Sequence, residues 1–229
     1  MKKTAGVILL LILLGAYPVL ADTVTQSDTP VQVSSIVRFD TTGNQMGGMS
    51  VTAYSSSFPG GFETRAWVNG GGVAGSVSGT GWSLSESGTT FSSNWTLITG
   101  TNNTFTRLTI DGFPGSTVFD RTFGGAEGTL DSARGADFDR TSVNPGLDVL
   151  ATYINEVGVG GNAPVGDLFR TLDLVFNNVT GGPGFSGTMT YISDTDNVVV
   201  STVPEPATML LLGSGLIGLA GFARRRFKK

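Results

Sequence analysis

The chain has 229 residues and contains neither cysteine nor histidine. That excludes disulfides, a thiol nucleophile, a Ser-His-Asp triad and the nitrogen- and sulfur-rich ligand sets of ordinary zinc sites. Between Asp22 and Pro206, eighteen acidic residues stand against seven arginines, a net of −11, so nucleic acid is excluded as a partner of that region.

The first 21 residues, MKKTAGVILLLILLGAYPVLA, have the three parts of an export leader. Lys2 and Lys3 supply the basic start, Ala5 to Ala16 an uncharged Leu-rich stretch, and Val19-Leu20-Ala21 a cleavage site that leaves Asp22 as the new first residue. Twelve apolar residues are too few for a stable span of a hydrocarbon core about 30 Å thick. No cysteine follows the stretch, so a lipid-modified start is excluded.

Residues 22–197 form the expected exported domain, acidic and β-rich. Alternation with a period of two recurs, and no long stretch has a 3.6-residue apolar period. Phe62, Thr64, Ala66 and Val68 share one parity, as do Phe91, Trp95 and Leu97, and Met189 and Tyr191. In DLFRTLDLVFNN, Leu168, Leu172, Leu174 and Phe176 fall on one parity and Phe169, Thr171, Asp173 and Val175 on the other. Turn clusters separate these runs, among them FPGG at 58–61, GFPG at 112–115 and NNVTGGPG at 177–184. Short alternating strands between such turns predict an antiparallel, jelly-roll-like β-sandwich. GLDVLATYINEV, with Leu147, Leu150 and Ile154 at helical spacing, is the one helix candidate, and its β-branched content favours a strand. The Gly-rich stretches 69–81 and 122–136 read as long mobile loops.

Few residues in this domain point to chemistry. SDTDNV places Asp194, Asp196 and Asn197 in a spacing like that of a calcium loop, without the glycine and distal glutamate of an EF-hand. Asp137 and Asp139, with Asp120 and Asp131 nearby in sequence, are the only carboxylates that suggest a glycosidase pair. Trp67, Trp82 and Trp95 suit either sugar stacking or core packing. The expectation is a non-catalytic domain without a cofactor; a carbohydrate-binding module and a secreted glycoside hydrolase are the alternatives.

Residues 198–206 read as a linker that ends in Pro204-Glu205-Pro206. Ala207 to Ala223 is an uncharged run that spans roughly 25 Å as a helix, the short end of a membrane crossing. Residues 224–229 follow with five positive charges, and Arg224, Arg225 and Arg226 mark the cytoplasmic side. GSGLIG at 213–218 matches a dinucleotide-binding pattern only formally, since it lies inside this apolar run and no strand precedes it. Pro204 and Pro206 hold the residues before them extended, so the motif is a stiff peptide with one negative charge.

The order of leader, Gly/Ser/Thr-rich domain, Val-Pro-Glu-Pro, short apolar helix with GLIGLAGFARRR and basic end resembles the PEP-CTERM family of bacterial exported proteins. The resemblance rests on about the last 27 residues. It implies recognition of Pro204, Glu205 and Pro206 by exosortase, an intramembrane cysteine transpeptidase or protease, and removal of the tail near that tripeptide. It also implies a passage through the inner membrane as a single-pass intermediate with a cytoplasmic C-terminus. The end point is then the cell surface or an extracellular matrix, with exopolysaccharide as a partner and a structural or adhesive role in biofilm.

Overall fold

A computed structural model describes residues 23–27, 29–122, 134–142, 144–178, 182–200 and 214. The expected leader, the Pro-Glu-Pro tripeptide, the arginines of the basic tail and all of the apolar run except Ser214 lie outside the described residues. Among the described residues no helix is long and apolar enough to cross a membrane.

The chain is mainly β. Its strands are β1 (Thr23–Ser27), β2 (Val31–Arg38), β3 (Ser50–Tyr54), β4 (Phe62–Ala66), β5 (Val68–Asn69) and β6 (Ala74–Gly79). There follow β7 (Trp82–Ser87), β8 (Trp95–Thr99), β9 (Arg107–Asp111), β10 (Thr117–Asp120) and β11 (Asp139–Arg140). The last are β12 (Leu147–Val159), β13 (Leu168–Asn178), β14 (Gly182–Pro183), β15 (Gly187–Ile192) and β16 (Asp194–Val200). GLDVLATYINEV is therefore strand, as its composition favours.

These strands make two sheets. The larger runs β1-β12-β2-β16-β10-β13-β9-β3-β4, with β14 beside β13; the smaller runs β11-β15-β8-β7-β6-β5. One hydrophobic core joins them: Val51, Leu108, Ile110, Leu172 and Leu174 from the larger sheet meet Leu84, Trp95, Leu97, Met189 and Tyr191 from the smaller. The arrangement is sandwich-like, each sheet burying one row of alternate side chains against the other.

The turn-rich sequence predicts antiparallel pairing throughout, and two ladders depart from that expectation. β1 and β2 both run parallel to β12, against Leu150–Ile154 and Val157–Val159 respectively. The two ladders meet at Asn155, whose backbone is left-handed with φ of 64°. There the register between the two chain segments shifts by one residue, and the Asn155 side-chain amide donates to the Thr29 carbonyl at 3.2 Å. The kink also reverses the buried face. Tyr153 enters the main core, whereas Val157, of the same parity, joins a small second core with Val33, Val118, Leu168 and Val198. Asparagine tolerates this conformation and a β-branched residue does not. Asn155→Gly should leave the urea midpoint nearly unchanged, and Asn155→Val should cost about 1–3 kcal/mol.

Beyond the kink the pairings β12–β2, β2–β16, β16–β10, β10–β13 and β13–β12 close into a five-stranded ring. This ring positions the acidic cluster described next.

Candidate functional site

β10 and β16 pair antiparallel, with Asp120 opposite Asp194 and Val118 opposite Asp196. Side chains of directly opposed residues share a face, and so do residues two apart on one strand. Asp120, Asp194 and Asp196 share a parity with Val118 and Val198, and their carboxylates gather into one cluster. All three are buried, and each offers an oxygen within 4.8 Å of the others.

Asp194 is the best defined of the three. Its Oδ1 accepts the Thr195 amide and the Thr90 hydroxyl, both at 2.8 Å. Its Oδ2 is buried and meets no hydrogen-bond donor among the described residues. Burial pushes its pKa up to about 7; the bonds from Thr90 and Thr195 oppose the rise, Asp40 adds to it and Arg134 works against it.

A crossing segment closes the ends of the two strands. The Ala136 amide donates to the Asp120 carbonyl and the Ala136 carbonyl accepts from the Asp194 amide, each at 3.1 Å. Gly135 permits this approach: a Cβ there would lie 2.6 Å from Asp120 Oδ1 and 2.3 Å from the Arg121 carbonyl oxygen.

Asn197, the third residue of the calcium-like spacing, belongs elsewhere. It has the opposite parity, and its amide is fully engaged. Oδ1 accepts from Thr41 at 3.2 Å, and Nδ2 donates to the Gln45 carbonyl at 3.1 Å and to Thr117 Oγ1 at 3.3 Å. The partner that completes the cluster is Asp120, 74 positions earlier in the chain, which only the pairing of β10 with β16 brings in.

The expected glycosidase carboxylates do not form an opposed pair. Asp137 accepts two bonds of 3.0 Å from the Arg121 guanidinium and one of 3.1 Å from the Thr122 amide. That guanidinium also lies over the Tyr153 ring at 4.9 Å, so Asp137 clamps the crossing segment to the core. Asp139 is exposed on β11, and Asp131 lies outside the described residues. The tryptophans are core residues. Trp67, Trp82 and Trp95 are buried, and their indole N–H groups donate to the Gly43 carbonyl, Glu63 Oε2 and the Ser193 carbonyl. None presents a face to a sugar.

β16 ends at Val200. Immediately beyond it, residues 202–226 match the model of the PEP-CTERM protein-sorting motif. The chain carries a PEP-CTERM sorting motif. The motif implies processing by exosortase and an end point at the cell surface. It covers only the C-terminal segment and assigns nothing to the β domain. No curated protein and no solved structure matches the chain.

Proposed function

We propose that this chain is a bacterial surface or matrix protein with a non-catalytic β domain that is displayed after processing of its C-terminal motif. In this reading a signal peptide directs export and is cut between Ala21 and Asp22. The run 207–223 then holds the chain in the inner membrane, with Arg224, Arg225 and Arg226 on the cytoplasmic side. Exosortase reads Pro204, Glu205 and Pro206 and removes the tail. The displayed domain serves a structural or adhesive role in exopolysaccharide and biofilm.

The observation that carries the reading is the sorting motif at 202–226, which begins two residues after β16 ends at Val200. Two further features agree with a non-catalytic domain. The chain has no histidine or cysteine, and Asp137 is occupied by Arg121.

The test is intact-mass analysis of the cell-surface and culture-medium protein from a host that encodes exosortase. The expected mature form starts at Asp22 and lacks Arg224 to Lys229. Replacing Pro204, Glu205 and Pro206 together with alanine should leave the full tail attached and the protein in the membrane fraction. Surface protein that retains Arg224 to Lys229 would overturn the processing step.

A further inference from the structure

We propose that Asp120, Asp194 and Asp196 form a binding site for one divalent cation of the calcium class, which ties β10, β16 and the crossing segment 134–138 together. Three observations lead there.

The first is geometric. Calcium binds oxygens at about 2.3–2.6 Å, so any two ligands of one ion lie within roughly 5 Å of each other. Three carboxylates whose oxygens sit within 4.8 Å of one another meet that condition without rearrangement. They are supplied by two hydrogen-bonded neighbouring strands rather than by a loop.

The second is the state of Asp194. One of its oxygens already has two donors, and the other is buried without any among the described residues. A buried carboxylate oxygen without a donor is costly, because water has been removed and nothing replaces it. A cation among the three carboxylates supplies the missing partner and also offsets their mutual repulsion.

The third is ligand type. The donor set is all oxygen in a chain with no histidine or cysteine, which selects a hard ion over zinc or copper. Calcium is preferred over magnesium because it accepts irregular, carboxylate-rich coordination, whereas magnesium demands a near-ideal octahedron. The choice of calcium also rests on the export reading, since extracellular modules bind this ion with a Kd of about 10⁻⁴–10⁻³ M.

The experiment is a calcium titration of the purified, chelator-treated full-length protein, by calorimetry and by thermal melting at fixed pH, with magnesium as a parallel arm. One calcium per chain is expected, with a Kd between about 10⁻⁵ and 10⁻³ M. The melting temperature should rise by roughly 5 °C or more at saturating calcium and by less with magnesium. Asp196→Asn should abolish the calcium-dependent rise, while Asp139→Asn on exposed β11 should keep it. No binding heat and no melting shift up to about 10 mM calcium would overturn the proposal. So would a shift that survives Asp196→Asn. If that variant does not fold, wild-type binding is read from terbium luminescence: displacement by calcium at one site per chain supports the site, and absence of terbium binding refutes it. Tail processing is scored on cell fractions and cation binding on purified protein, so either proposal can fail without the other.

Discussion

Glu86→Gln is expected to stabilise the domain at pH 9 by roughly 2–5 kcal/mol and to change little at pH 5. Glu86 lies on β7 on the parity of Trp82 and Leu84, so the strand turns its carboxyl inward with them. It is 1% exposed, and neither carboxylate oxygen has a hydrogen-bond donor in good geometry among the described residues. Burial pushes its pKa from 4.5 up to about 8, and the Gly43 amide, the nearest donor, offsets only part of the rise. Between those two values the folded state holds a proton that the unfolded state has released. Stability is therefore full below about pH 4.5 and falls steadily as pH rises toward 8, above which the loss is complete. Glutamine has the same shape and no charge to release, so its stability should be flat across that window. Urea denaturation of both proteins at pH 5, 7 and 9 is the measurement. Equal wild-type stability at pH 5 and pH 9 would show that the carboxyl finds solvent or a partner when it ionises.

The sequence pattern gave clear signals where a strand has one buried face and local neighbours. Met189 and Tyr191, Trp95 and Leu97, and Leu172, Leu174 and Phe176 are all inward rows of their strands, as their parity implies. Central strand β13 obscures the pattern because both of its faces are covered, with Leu168 in one core and Phe169 in the other. On β4, at the end of the larger sheet, the shared parity of Phe62, Thr64 and Ala66 faces solvent, and Trp67 turns inward instead. The stretch 69–81 was expected to be a mobile loop, yet it contains the end of β5 and all of β6. Its glycines serve close packing: a Cβ at Gly75 would lie 1.9 Å from the Gly43 carbonyl oxygen and 2.3 Å from the Trp67 indole nitrogen. Most of the stretch 122–136 lies outside the described residues.

What stayed hidden depends on pairings between distant segments. Neither the parallel ladders along β12 nor the meeting of Asp120 with Asp194 and Asp196 follows from local propensity. Both require knowing which strands are neighbours. The sorting motif is legible for the opposite reason: it is a contiguous peptide, read by charge and hydropathy in sequence order.

The largest expected loss from a single core substitution is at Trp95. Its ring is fully buried, stacks on Tyr191 at 5.9 Å with planes 10° apart, and meets Trp67 at 5.3 Å. Trp95→Ala removes these contacts and should cost about 3–5 kcal/mol. Trp95→Phe separates ring from donor. It keeps an aromatic ring in place but deprives the Ser193 carbonyl of the indole N–H, which now donates at 2.9 Å, and should cost about 1–3 kcal/mol. Ser193 also exchanges a 3.0 Å hydroxyl bond with Tyr153, whose oxygen accepts the Phe138 amide at 2.7 Å. Trp95 and Tyr153 thus hold the same residue, the one directly before Asp194, from the two sheets. Trp95→Phe and Tyr153→Phe should therefore be non-additive in urea denaturation, with a coupling of about 0.5–2 kcal/mol. Strict additivity would mean that Ser193 is held independently on each side. Coupling would mean that the core aromatics and the start of the acidic strand form one cooperative unit.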